Sequence, residues 1–252
     1  MGQTLAFAGK GGTGKTVIAA LAVRWLVARG RTPVLAVDAD ANANLHDVLG
    51  LSVRDSVGAI REAALEQARE LAGISKQELL DLRVQQALVE QNGYDLLVMG
   101  RPEGRGCYCF ANNVLRDVIQ RVASGYRQLV VDSEAGLEHV SRRTLLAVDH
   151  LCLVSDATVR GVQTARRISE LVDQLETPVA RRGLVVNRAP GGVLPPAVGH
   201  AAQESGLDLW AVIPADPAVE AMDSGGMTVD DIPSTALARL AVGQMMEALL
   251  ED

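Results

Sequence analysis

Short apolar and β-branched runs alternate along the chain with longer stretches whose apolar residues recur at helical spacing. The runs at residues 3–8, 33–37, 94–99, 128–131, 150–154, 183–186 and 209–212 predict strands. Residues 17–29, the stretch from 113 to about 123, residues 158–174 and the segment from about 234 to the C-terminus predict helices, and the charge-rich stretch 57–91 reads as helical. Alternation of strand and helix at this spacing predicts an α/β fold: a doubly wound, mostly parallel sheet flanked by helices. The sequence shows no internal repeat, low-complexity linker or break in composition. Its softest segment, GGVLPP at residues 191–196, reads as a loop, so residues 1–252 are expected to form a single domain.

Composition fits that picture. The chain has 252 residues, 48% of them hydrophobic but only 3% aromatic, so the core must be built from Leu, Val, Ile and Ala. That composition suits strands buried on both faces. The formal net charge of −7 argues against a broad nucleic-acid-binding face. Neither a signal peptide nor an apolar run long enough to span a bilayer is evident, so the expected location is the cytoplasm. Three cysteines, an odd number, make structural disulfides an unexpected use and bring metal or redox chemistry into consideration.

The first apolar run leads into Gly9-Lys10-Gly11-Gly12-Thr13-Gly14-Lys15-Thr16, which fits G-x-x-x-x-G-K-[ST] with a strand before it and a helix after it. Glycines let successive backbone N–H groups turn toward phosphate oxygens, and the helix that follows adds its positive end. The expected nucleotide-binding segment is therefore Gly9 through Val17, with Lys15 on the β- and γ-phosphates of ATP and the Thr16 hydroxyl on Mg²⁺. Lys10 is a second lysine in the same loop, in a chain with only one further lysine, Lys76. A compact point charge is what lysine supplies where arginine would not. GKGGTGKT resembles the deviant Walker A loop of the MinD/ParA/nitrogenase-iron-protein class. That resemblance implies an ATPase in which ATP is sandwiched within a homodimer and Lys10 reaches the partner's nucleotide.

Two acidic strand ends accompany the loop. Asp38 and Asp40 follow the run at 33–37, on the ligand side of a parallel sheet, where a carboxylate can position water or a magnesium-bound water. By the same resemblance Asp40 serves the attacking water and Asp38 supports it; either can instead cap the helical turn that follows. Asp132 ends the run at 128–131 as the acidic residue of a Walker B pattern and is expected to hold a magnesium-bound water. Gly136 gives that loop freedom to respond to the γ-phosphate, and His139 reads as a hydrogen-bonding or packing residue. Adenine is expected at the far strand ends: the Asn187 amide can both donate to and accept from a base edge, and the segments that carry Asn187 and Arg188, and Pro214 and Asp216, resemble the base-binding segments of the same class. Asn187 can equally form the turn at the end of its strand.

Cys107 and Cys109 form a C-x-C pair after the run at 94–99, and can offer two thiolates to one metal ion. Two ligands are too few for a closed site, but a two-fold dimer would double them to four. Cys152 lies within an apolar strand and reads as a buried structural residue. GKGGTGKT, VDADANANL, GCYC, VDSEAGLEHVSRRT and VVNR, in that order, resemble the CooC family and the related AcsF-type accessory ATPases. Departures are Ser133 where Asn or Thr is expected and Ala41 where Pro is frequent, the latter leaving the first acidic loop looser. The resemblance implies a slow metallochaperone ATPase that binds Ni²⁺, or Zn²⁺ in its place, through Cys107 and Cys109 at a dimer interface. Its client would be carbon monoxide dehydrogenase or acetyl-CoA synthase, with neither nucleic acid nor membrane as a partner. The alternative is a MinD/ParA-type partitioning or positioning ATPase that binds DNA or membrane, but the acidic C-terminal end fits an anionic lipid surface poorly. An iron–sulfur electron carrier would need a cysteine in the loop after Asp132, and none is there.

Overall fold

The computed structural model describes residues 2–40, 42–60, 83–100, 122–133, 147–174 and 178–250. Among these, eight strands form one sheet in the order β3-β4-β2-β5-β1-β6-β7-β8. The strands are β1 (Gln3–Gly9), β2 (Val34–Ala39), β3 (Val89–Gln91), β4 (Tyr94–Val98), β5 (Gln128–Ser133), β6 (Val148–Asp156), β7 (Val179–Ala189) and β8 (Asp208–Pro214). The helices are α1 (Lys15–Ala28), the short α2 (Leu45–Val48), α3 (Val159–Gln174), α4 (Pro196–Glu204), α5 (Pro217–Gly225) and α6 (Leu237–Leu250). Every pairing is parallel except β3 with β4. The expected doubly wound sheet is therefore the one observed.

Strand burial explains the composition. β2 and β5 are buried at every position, and β1 at all but its first. Leu5, Phe7 and Cys152 face one layer, which includes α1 and α6, while Ala6, Leu35 and Leu151 face the other, which includes α3 and α4. Cys152 is fully buried, as a structural cysteine should be, and burial raises its thiol pKa. α1 is apolar on most of its circumference because the sheet, α2 and α6 all pack against it.

Three elements depart from the sequence expectation. Residues 89–91, assigned to the long helical stretch, form the antiparallel edge strand β3. Asn92 and Gly93 join it to β4 as a two-residue loop, with Gly93 at φ 88°. An Asn-Gly pair between extended residues is a strong local hairpin signal, and here it overrides helical periodicity. Helices α4 and α5 both open on a proline, Pro196 and Pro217, which fits the first turn because the missing N–H has no partner there anyway.

The strand order places a crevice where the connections diverge on either side of β1, the usual ligand position in an open parallel sheet. The sheet's other half is braced by Trp210, whose indole covers Gly183 and meets His150 edge-on at 6.1 Å between centroids. A Cβ at Gly183 would lie 2.3 Å from the indole ring. Gly183→Ala should therefore overpack this site and cost about 1–3 kcal/mol, read as a lower urea midpoint with an unchanged slope.

Candidate functional site

β1 ends at Gly9, where a Cβ would come within 2.1 Å of the Val154 carbonyl oxygen, so the chain can pass β6 this closely only as glycine. The loop then doubles back on itself. The Lys10 carbonyl accepts the Thr13 hydroxyl at 2.9 Å and the Lys15 ammonium at 3.1 Å. Lys10 itself is exposed, as are Gly11 and Gly12, while Lys15 is only 6% exposed. α1 starts after Gly14, at φ 87°, with no side chain capping its first turn. Uncapped N–H groups at a helix start, with the helix dipole behind them, form a cradle for an anion.

The far strands hold this loop from one side. The Asn187 amide nitrogen donates to the Thr13 carbonyl at 2.8 Å, and its oxygen accepts the Arg188 N–H at 2.9 Å. Arg188, at φ 56°, donates to the Gly12 carbonyl at 3.1 Å and faces the Asp223 carboxylate at 3.7 Å. A Cβ on Gly14 would lie 2.3 Å from the Asn187 amide nitrogen. Gly14 is thus demanded twice, by its left-handed backbone and by the approach of Asn187. This linkage between the loop and the end of β7 has no motif of its own, and neither expected role for Asn187, base contact or strand-end turn, includes it.

Acidic residues converge on the other side. Asp38 and Asp132 are paired neighbours across β2 and β5, so their side chains leave the sheet together. Asp38 is fully buried; its carboxylate accepts the Asp40 N–H at 3.1 Å and the Leu45 N–H at 2.8 Å. Burial lifts its pKa to about 6 against the opposing pull of those two hydrogen bonds. Asp38 thus fastens the turn that carries Asp40 and starts α2. Asp40 is half-buried and accepts the Asn42 N–H at 2.8 Å. Asp132 is 1% exposed, and burial lifts its pKa to about 7; a hydrogen bond with Thr16 and the charge of Lys15 pull it down, while Asp38 and Asp40 push it further up. Its Oδ1 is buried with no hydrogen-bond partner.

That orphaned oxygen tests the fit for a divalent cation. Thr16 and Asp132 share a hydrogen bond, Asp38 and Asp40 add negative charge, and an anion cradle lies alongside. Oxygen donors next to a phosphate site are the surroundings magnesium takes, so these residues fit MgATP. Beside the phosphate loop, a cleft of about 470 Å³ opens between α1, α5, α6 and the ends of β7 and β8. Asn187, Arg188, Pro214 and Asp216 all line it, and so do Val219 and Val242, which no motif singled out. Cys107, Cys109, Gly136 and His139 lie outside the described residues. Among the described residues no group of three or more His, Cys, Asp and Glu side chains is placed to hold a metal ion by itself.

A strand, a glycine loop with an uncapped helix behind it, and an acidic strand end beside the loop's threonine define a P-loop nucleotide hydrolase. Within that class the chain belongs to the CobQ/CobB/MinD/ParA nucleotide-binding family, whose CbiA model matches residues 5–229. It is 37% identical over 249 residues to an uncharacterised ATP-binding protein of Methanocaldococcus jannaschii, covering 98% of both chains. It is 31% identical over 266 residues to the carbon monoxide dehydrogenase accessory protein CooC of Rhodospirillum rubrum, covering 98% of this chain and 96% of that one. In fold it resembles the septum site-determining protein MinD of Pyrococcus horikoshii, solved with Mg-ADP, with a TM-score of 0.73, 22% identity, and coverage of 100% of this chain and 97% of that one. The protein is an ATPase of this family.

Two outcomes follow from the site's packing. Gly14→Ala should lose nucleotide binding more severely than Gly12→Ala, because a Cβ at Gly12 (φ 79°) meets nothing within 4 Å and carries only backbone strain; isothermal titration with MgATP compares them. The second concerns pH. The Asp132 carboxyl titrates near 3.8 when unfolded and near 7 when folded, so the folded state holds an extra proton between those values. Stability of the nucleotide-free protein should therefore fall as pH rises through that window, with the full cost present above about pH 7. Asp132→Asn should remove much of this slope and stabilise the nucleotide-free protein at pH 8 by on the order of 2–4 kcal/mol, measured by urea unfolding at pH 5 and pH 8.

Proposed function

We propose that the chain hydrolyses MgATP within a two-fold dimer and uses that cycle to carry nickel, with zinc as the competing ion, to a client enzyme of the carbon monoxide dehydrogenase or acetyl-CoA synthase kind. The observation that carries this reading is the near-full-length similarity to the accessory protein CooC, joined to the Cys107-Tyr108-Cys109 pair in the sequence. Lys15 binds the β- and γ-phosphates, and Lys10, exposed on the same loop, serves the partner's nucleotide. Thr16 and Asp132 hold the magnesium ion, which when bound neutralises phosphate charge. Asp40 orients the attacking water, and Asp38 keeps Asp40 in place through its two backbone hydrogen bonds. Cys107 and Cys109 offer two thiolates each from two subunits, so the cargo ion is held only when the subunits meet.

The positioning reading, in which the chain acts at a membrane or on DNA, fares less well on a specific observation. One face of helix α6, formed by Val242, Met245, Met246 and Leu249, is buried in the core together with α1, and only Leu237 and Leu240 of its large apolar residues are exposed. A helix that lies on lipid needs that face free. No helix among the described residues is long and apolar enough to cross a membrane, and the net charge of −7 opposes a polyanion.

Elemental analysis coupled to sizing, with and without MgATP, tests the proposal. One nickel or zinc per two chains is expected in the dimeric fraction. Cys107→Ser with Cys109→Ser should lose the metal and keep ATP binding, whereas Lys15→Ala should lose ATP binding. A double cysteine variant that binds nickel as well as the parent would end the metal reading and leave the ATPase standing.

A further inference from the structure

Asp216 occupies the junction where β8 ends and α5 begins, and it lines the base cleft. Its side chain is only 8% exposed, and both carboxylate oxygens are already engaged. Oδ1 accepts the Ala218 N–H at 2.9 Å, and Oδ2 accepts the Ala238 N–H at 2.9 Å. Ala218 is the second residue of α5 and Ala238 the second residue of α6. One carboxylate therefore caps the same position of two different helices. The first bond is the ordinary cap that an Asp provides to its own helix. The second replaces a cap that α6 cannot supply for itself, because the residue before it, Ala236, has no side-chain oxygen. Two helix N-termini, each carrying partial positive charge, converge on a single buried anion.

Both capped helices wall the cleft. Val219 and Glu220 come from α5, Ala238 and Val242 from α6, and the Asp216 carboxylate lies at their meeting point. We infer that Asp216 is a positioning residue for the base: it fixes the spacing of the two walls between which adenine sits, and it does so through main-chain amides instead of a bond to the nucleotide. The phosphate cradle is held by other bonds, those of Asn187 and Arg188 to Thr13 and Gly12, although α1, Asn187 and Arg188 also line the cleft. The spacing of α5 and α6 and the bracing of the loop thus rest on different hydrogen bonds, and a change at Asp216 separates them.

The inference rests on ATP binding and not on the metal-carrier reading, so its failure leaves that reading untouched. Its test compares MgATP with magnesium tripolyphosphate, which presents the phosphates without a base. Asp216→Ala should raise the Kd and KM for ATP about tenfold, leave kcat at saturating ATP within about threefold, and leave tripolyphosphate affinity within about twofold. Asp216→Asn retains one acceptor oxygen and should fall between the parent and Asp216→Ala. Equal losses for ATP and tripolyphosphate would mean that the carboxylate supports the fold as a whole, and unchanged ATP affinity would mean that the walls need no such tie; either result overturns the inference. If Asp216→Ala fails to fold, Asp216→Asn decides alone: about a threefold loss confined to ATP supports the inference, and any other pattern overturns it.

Discussion

The nucleotide end of this molecule depends on the burial of two carboxylates side by side. Asp38 and Asp132 are paired across β2 and β5, and both are shut away from water. Burial raises both carboxyl pKa values, the direction that marks a charge short of compensation. The two are not short of it equally. Asp38 has two backbone N–H donors, which turn its charge to structural use by holding the Asp40 turn. Asp132 has Thr16 and the nearby Lys15, and keeps an oxygen with no partner. An unsatisfied buried acceptor costs free energy that a bound cation would return. The sheet register thus makes the acidic half of the site costly when empty and favourable when filled.

The other half is built on the opposite principle. Asn187, Arg188 and Asp216, candidate base contacts by their place at the strand ends, spend their polar atoms on main-chain groups: the Thr13 and Gly12 carbonyls, and the N–H groups of Ala218 and Ala238. These bonds fix the loop to β7 and the two cleft helices to each other. The phosphate loop is therefore braced from β7 by satisfied hydrogen bonds and faces, across Thr16, a group of acids with unsatisfied capacity.

Legibility in the sequence follows the range of the interaction concerned. The strands were readable because burial on both faces leaves uninterrupted apolar runs, and the phosphate loop because backbone geometry dictates its glycines. The edge strand β3 was hidden by its three-residue length inside a charged stretch, although Asn92-Gly93 carried the signal. α4 and α5 were marked by prolines at their first positions, and Asp216-Pro217 is a capping signature in its own right. The Gly14–Asn187 approach and the bond from Asp216 to Ala238 could not be read, since each joins positions far apart in sequence that periodicity does not link. Candidate residues were thus found by type and position, while what their side chains bind depended on the fold.

The two halves together give the site a direction of response. Ligand binding that satisfies an already braced region changes little, because those polar groups have partners whether or not a nucleotide is present. Binding that satisfies Asp132 changes much more, because a folded state carrying a strained charge exchanges it for a paired one. Asp38 shares this environment and holds the turn of Asp40, so a change of charge at Asp132 is felt by the carboxylate that shapes the neighbouring loop. A conformational response needs a ligand with different interaction energy in two states, and the acidic half supplies that difference where the braced half does not. Among the described residues, the acidic pair and the Asp40 turn that Asp38 holds are accordingly the part of the site most sensitive to what the nucleotide brings.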